Sequence, residues 1–285
     1  MGKIKGYIIE KFNNMSNSYT SSRLIEEGKK RGIDISLIGV SDTIISNEQL
    51  FNNYNIVVPR NFVINRYKYG FIKDKINDLC KNSYNEINAF NIYINKYNQI
   101  INLKSDYFEM PKTILGNLFF DYSIITERIG EPFVIKGLDS SQGNEVFLIK
   151  NKNDFIDVAN RFDGRKEWLF QEYIKNSVGH DIRFFCIRGD VIACMTRTSS
   201  NHDFRANYAL GAKVEKLAID DCFREIAKDI YNSTKLDFIG VDLLFGTNKP
   251  FFCEINVMPG IEGIEKATKI NVAERIIETI KGDLL

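Results

Sequence analysis

Near its C-terminus the chain carries two apolar runs, Phe238-Ile-Gly-Val-Asp-Leu-Leu-Phe245 and Phe251-Phe-Cys-Glu-Ile-Asn256, separated only by Gly246-Thr-Asn-Lys-Pro250. Strand-like runs joined by a short turn-forming segment predict a β-hairpin. Each run also holds an acid where a buried strand favours an apolar residue. Side chains alternate along a strand, so Glu254 and Asn256 share a face, and pairing brings Asp242 roughly opposite them. A carboxylate inside a buried strand must be paired or metal-bound. Converging oxygens suit Mg²⁺, which one or two carboxylates hold while nucleotide phosphates and water complete its shell. The bland alternative is that both acids face solvent or pair with arginines, and the fragment alone does not choose.

The remaining pattern is α/β. A strand over Lys3–Glu10, a helix over Ser21–Arg31 and a strand over Ile33–Val40 make a β-α-β start. A third strand is expected at Tyr54–Pro59, ended by proline, and a helix at Tyr69–Lys81. Further on, a helix begins at Lys96, strands fall at Met110–Leu115 and Glu131–Lys136, and a helix spans Lys152–Phe162, capped by Asn153 or Asp154. Beyond Trp168 come strands at Trp168–Ile174, Asp181–Ile187 and Val191–Thr198. Helices are expected at Asp221–Ser233 and Asn271–Lys281.

Several function classes are excluded early. A formal net charge of +1 over 285 residues argues against a surface devoted to nucleic acid or acidic membrane. No apolar run approaches the about 18–20 residues that cross a bilayer, and no signal peptide opens the chain, so a cytoplasmic location is expected. The five cysteines lack a CxxC pair and read as reduced and structural. His180 and His202 are the only histidines, which removes histidine-rich zinc sites and leaves a Ser-His-Asp triad few ways to form.

Three more pieces have chemical potential. Lys136 precedes the small-residue turn Gly137–Gly143, whose backbone N–H groups suit phosphate oxygens. Glu172, in Phe170-Gln-Glu-Tyr-Ile174, could accept hydrogen bonds from an adenine amine or ribose hydroxyls. Asp181, Arg183, Arg197, Arg205 and Asn207 gather arginine forks of the kind that grip carboxylates and phosphates. Surface turn, edge acid and surface ion pairs are the ordinary alternatives.

In order, Asn95-Lys96, Pro132–Lys136, Gln142-Gly143, Gln171–Lys175, Gly179–Arg183, Asp203–Asn207, Gly240–Asp242, Glu254–Asn256 and Pro259–Thr268 resemble an ATP-grasp ligase of the RimK type. The resemblance covers about residues 90–285. It implies an ATP-grasp fold with the nucleotide between two β-containing subdomains, 91–170 and 171–285, after an N-terminal α/β domain, 1–90. It implies that Lys96 and Lys136 contact ATP phosphates, that Gln171, Glu172 and Tyr173 lie at the adenine hinge and that Asp181 holds the ribose. Arg205, Ala206 and Asn207 would line the nucleotide, Arg197 would stand near the transferring phosphate, and Asp242, Glu254 and Asn256 would bind two Mg²⁺ ions, or Mn²⁺ in their place. The sequence departs from the family pattern at Asn95, where an aspartate is usual, and at Glu145, where a loop glycine is usual.

The implied activity joins a carboxylate, glutamate or another amino acid, to the amine of a peptide, carrier protein or small molecule through an acyl phosphate. Arg197, Arg205 and Lys136 would act on the transferring phosphoryl group, no covalent nucleophile is required, and the family often forms homo-oligomers. Neither nucleic acid nor membrane is an expected partner. A kinase on the same fold and a non-catalytic ATP-binding module are the alternatives.

Overall fold

The structure, a computed structural model, describes residues 3–12, 18–47, 49–68, 70–138, 145–200 and 203–285. The N-terminal part comprises β1 (Lys5–Glu10), α1 (Tyr19–Lys30), β2 (Asp34–Gly39), β3 (Thr43–Ser46), β4 (Gln49–Asn52), β5 (Asn55–Ile56), β6 (Arg60–Asn65), α2 (Phe71–Asp78) and β7 (Cys80–Tyr84). Strands β2-β1-β6-β7 form a parallel sheet in that order. Tyr7, Ile8 and Ile9 are buried side by side, the mark of a strand covered on both faces.

Two expectations are corrected here. The segment Tyr54–Pro59 does not supply the third parallel strand. Only Asn55–Ile56 pairs, at the end of a small antiparallel β3-β4-β5 sheet, and Pro59 offers no N–H to continue it. The third strand is β6, whose short apolar centre, Phe62–Ile64, is flanked by asparagines. Asn65 is buried in an amide network, donating to Asn77 Oδ1 at 3.1 Å and Ser83 Oγ at 2.9 Å. The helix expected over Tyr69–Lys81 is shorter, and Cys80–Tyr84 is a strand; Tyr69 itself lies outside the described residues.

Two helices follow, α3 (Ile87–Tyr93) and α4 (Lys96–Asn102). Asn95 caps α4, its Oδ1 accepting from Tyr97 N at 2.9 Å and Asn98 N at 3.3 Å, which an aspartate would do equally. The next unit holds β8 (Thr113–Asn117), α5 (Tyr122–Ile129), β9 (Phe133–Gly137), β10 (Val146–Ile149), α6 (Lys152–Arg161) and β11 (Glu167–Glu172). Its sheet runs β10-β9-β11-β8, all antiparallel, over a core of Ile125, Phe133, Ile135, Phe155, Trp168 and Phe170. Asn151, not Asn153 or Asp154, caps α6: its Oδ1 accepts from both of their N–H groups, at 2.9 and 3.2 Å.

The last unit contains β12 (His180–Ile187), β13 (Asp190–Thr198), β14 (Lys213–Lys216), α7 (Asp221–Thr234), β15 (Phe238–Leu244), β16 (Phe251–Asn256), α8 (Glu262–Thr268) and α9 (Val272–Leu284). Its antiparallel sheet runs β14-β13-β12-β15-β16, leaving β16 at an edge. Alternation divides β12 between two cores. Ile182, Phe184 and Cys186 pack with α7 and with Phe90, Tyr93 and Leu103, whereas Phe185 and Ile187 join a core shared with Ile8, Leu24, Phe62 and Tyr84 of the N-terminal unit. Both faces are therefore covered, and the strands read as continuous apolar runs. Among the described residues no helix is long and apolar enough to cross a membrane, and the five cysteines are free thiols.

Candidate functional site

The β15–β16 hairpin forms as the alternation demands. Asp242 lies directly opposite Glu254 and Gly240 opposite Asn256, so the three oxygen-bearing side chains share a face. The turn needs glycine at Gly246, because a Cβ there would stand 1.9 Å from the Lys249 carbonyl oxygen. Pairing shifts between Asp242 and Leu243, leaving Cys253 as the extra residue of a bulge.

Asp242 is 3% exposed and bound by two arginines. Arg183, opposite it on β12, donates through Nε and Nη2 at 2.5 Å each, and Arg197 on β13 donates Nη2 at 2.9 Å. Arg197, equally buried, also forms a two-point pair with Asp181 at 2.6 Å. The result is a buried relay, Asp181–Arg197–Asp242–Arg183, of alternating sign and zero net charge. Burial alone would push the Asp242 carboxyl up, but the two guanidiniums outweigh it and hold it down at about 2. Burial likewise opposes the charge of Arg197, yet Asp242 and Asp181 keep its pKa above the ordinary arginine value. Asp181, expected at a ribose, has both oxygens engaged by Arg197 here.

The arginine pairing of Asp242 matches the bland alternative for that residue. Glu254 differs, being half-buried with its Oε2 3.5 Å from Lys96 Nζ. Asn256 donates Nδ2 to Asp242 Oδ2 at 3.3 Å, which leaves its carbonyl oxygen as the group's acceptor. Among the described residues no three acidic, histidine or cysteine side chains gather closely enough to hold a metal ion by themselves. The set is two carboxylates and one carboxamide, all oxygen donors, which fits a hard cation that takes its remaining ligands from phosphates and water.

The central sheet supplies the opposite wall. Lys136 reaches from β9 to the hairpin, its Nζ donating to Gln171 Oε1 at 2.6 Å and lying 3.7 Å from Cys253 Sγ. Burial raises that thiol to about 11, although Lys136 opposes the shift. Gln171 is itself anchored on Thr113 Oγ1 at 3.1 Å. Glu172 ends β11 and accepts from Lys112 N at 3.1 Å; Tyr173 follows, its ring edge-on to Phe204 at 6.4 Å. Arg205 is paired with Asp203 at 2.7 Å and lies over the Phe204 ring. Ala206 is buried, and Asn207 caps the short turn Tyr208–Leu210. Side-chain bonds thus join Asp181, Arg183, Arg197, Asp242 and Asn256 in one group; Lys96 meets Glu254, which pairs across from Asp242, and Lys136 meets the bulge residue Cys253 beside it, while Arg205 belongs to the neighbouring Asp203–Asn207 loop.

Glu145 is neutralised. Lys166 Nζ bonds both its oxygens, at 2.6 and 2.7 Å, and its side chain fills the space above Gly137. Gln142, Gly143 and His202 lie outside the described residues. Two buried amides escaped the reading of the sequence. Gln99 and Asn85 bond the backbone around the hairpin, and the available signal was a polar residue on the apolar face of a helix and another at a strand end.

Comparison with known proteins adds the following. A family profile described as the RimK-like ATP-grasp domain matches residues 94–280. A probable alpha-L-glutamate ligase of Legionella pneumophila (strain Corby) is 30% identical over 276 residues, covering 92% of this chain and 91% of that protein. A probable alpha-L-glutamate ligase of Shewanella pealeana is 27% identical over 279 residues, covering 93% of this chain but only 61% of that longer protein. Among solved structures, a D-alanine–D-alanine ligase from Bacillus anthracis complexed with ATP superposes with a TM-score of 0.72 at 16% identity, covering 100% of this chain and 99% of the other. The ATP-grasp ligase PsnB complexed with minimal precursor, Mg and ADP gives 0.69 at 13% identity, with 98% of each chain covered. At those identities the likeness concerns the fold.

Proposed function

This chain belongs to the RimK-like ATP-grasp family, and we propose that it is an ATP-dependent carboxylate–amine ligase that adds glutamate or another amino acid to an amine acceptor. The observation that carries the reading is the hairpin face: Asp242, Glu254 and Asn256 stand together, with Lys96 and Lys136 beside them from two other elements. Cations and oxygen donors so interleaved suit a metal-bound triphosphate.

In the reaction proposed, a carboxylate oxygen of the substrate bonds to the γ-phosphorus as the bond to the β-bridging oxygen breaks, giving an acyl phosphate and ADP. The amine then attacks the carbonyl carbon, phosphate leaves, and the amine loses a proton. Lys96 and Lys136 hold phosphate oxygens, and Arg197 with Arg183 offsets the charge that builds on the transferring group. Asp181 keeps the Arg197 fork oriented, a role drawn from its two-point pair. Gln171, Glu172 and Tyr173 offer an adenine edge and face, with Arg205, Ala206 and Asn207 beside the nucleotide. Asp242, Glu254 and Asn256 would hold Mg²⁺, as one or two ions with Mn²⁺ as substitute, and the metal would neutralise phosphate charge. We keep 1–90, 91–170 and 171–285 as the proposed division of labour, the first part selecting a peptide, carrier-protein or small-molecule amine.

The test is trapping. With ATP, Mg²⁺, glutamate and hydroxylamine, the chain should release ADP and form glutamyl hydroxamate. A stable phosphoester without hydroxamate would make it a kinase, and nucleotide binding without turnover a regulatory module.

A further inference from the structure

β16 is an edge strand: Glu109 bridges the start of its outer row, its N donating to Pro250 O and its O accepting from Phe252 N at 2.9 Å each, and past that bridge no strand pairs with it. At Ile255, the residue between Glu254 and Asn256, those groups are met by a side chain. Gln99 Nε2 donates to Ile255 O at 3.0 Å, and Ile255 N donates to Gln99 Oε1 at 2.8 Å. A carboxamide carries the same donor and acceptor as a peptide unit, so Gln99 closes the edge as a neighbouring strand would. The same Nε2 also donates to Tyr93 O at 2.6 Å, tying in the end of α3, and Gln99 is 2% exposed.

The position of Gln99 on its helix gives this contact a consequence. Residues three apart on a helix lie on one face. Lys96, three residues earlier on α4, is the residue whose ammonium approaches Glu254 at 3.5 Å. One helical face therefore grips consecutive residues of β16: Lys96 meets the side chain of Glu254, and Gln99 meets the backbone of Ile255. Lys96 N also donates to Leu138 O at 3.0 Å, at the end of the strand that carries Lys136. Asn85 secures the far side of the hairpin, bonding Phe238 N, Phe238 O and Val257 O at 2.7, 2.8 and 3.0 Å.

We infer that Gln99 is a positioning residue that sets the register between Lys96 and the carboxylate face of β16, so that nucleotide phosphate and metal are gripped together. The inference rests on the metal reading of Asp242 and Glu254. A leucine at position 99 fills similar volume but orphans Ile255 N–H, Ile255 C=O and Tyr93 C=O. A glutamate, kept protonated there by burial against two carbonyl oxygens, preserves the acceptor for Ile255 N–H and one of the two donations.

The experiment is calorimetric titration of the full chain with a non-hydrolysable ATP analogue, with and without Mg²⁺, and needs no knowledge of the acceptor. In the parent, Mg²⁺ should tighten analogue binding. In Gln99→Leu that Mg²⁺-dependent gain should shrink about tenfold or more while metal-free analogue affinity changes less than threefold, and Gln99→Glu should fall between. If Gln99→Leu lowers the melting temperature but keeps the full Mg²⁺ gain, Gln99 is only structural and the inference is overturned. Glu254→Gln is the control. If that substitution also leaves the gain intact, the metal reading fails and the inference with it. If it removes the gain while both position-99 variants retain it, the inference alone fails. Should Gln99→Leu not fold, Gln99→Glu carries the decision by the same criterion.

Discussion

The two walls of the site are built on opposite principles. On the C-terminal wall, Asp181, Arg197, Asp242 and Arg183 bond one another across three strands of the sheet, so their geometry exists before any ligand arrives. On the central wall, Lys136 is held by one hydrogen bond to Gln171 and a long contact to Cys253, and the Lys166–Glu145 pair over Gly137 is only partly buried. Buried charges confer position at the expense of desolvation, and exposed ones stay adaptable at little energetic consequence. In the proposed reaction the first wall is a fixed template, and the second is where the nucleotide would reorganise its contacts.

The comparison can be broken at its strongest point. Arg197→Met leaves Asp181 without its guanidinium and should destabilise the fold by about 3–5 kcal/mol, the usual result of orphaning a buried partner. Urea unfolding would measure it, and a loss under about 1 kcal/mol would mean that the relay is not what holds this wall. On the other wall, Lys136→Ala should leave the unfolding midpoint nearly unchanged. It should weaken ATP-analogue binding by tenfold or more, in keeping with about 1.5–3 kcal/mol for a hydrogen bond to a charged group. Unaltered affinity by calorimetry would remove Lys136 from the phosphate site. The smallest effect is expected of Lys166→Met: about 1 kcal/mol of stability or less, because both partners of the ion pair keep part of their surface in water. A large change in stability there would show that Glu145 anchors more than its own turn.

Much of the C-terminal unit is legible in the residues because alternation and apolar continuity agree there: Phe238–Leu244 is buried on both faces, Phe251–Asn256 buries Phe252 and Ile255, and Asp242 and Glu254 are conspicuous interruptions. The N-terminal sheet is harder to read. β6 has only Phe62, Val63 and Ile64 at its centre, and β7 is Cys-Lys-Asn-Ser-Tyr, since buried asparagines and serine bond one another where apolar side chains would otherwise signal a strand. Asp181 and Arg197 stood out as charged residues, but their pairing depends on cross-strand register, which one strand's sequence does not encode. Gln99 was hard to single out for a related reason: a glutamine one turn into a helix ordinarily faces water, and its place on the apolar face gains meaning only when an edge strand arrives beside it.

The core that unites Ile8, Leu24, Phe62 and Tyr84 with Phe185, Phe238 and Ile276 has a consequence for anyone wishing to reprogram this protein. The N-terminal sheet is not a cassette. Tyr84 stacks on Phe238 and donates its hydroxyl to Asp283, and Glu27 of α1 accepts from Asn271 at the start of α9. A chimaera that exchanges the N-terminal sheet would have to import the matching surfaces of α8, α9 and the base of β15, the strand that carries Asp242. Acceptor choice and metal chemistry, if divided as proposed, are therefore inherited together, and a change of acceptor is more accessible through loops at the strand ends than through transplantation.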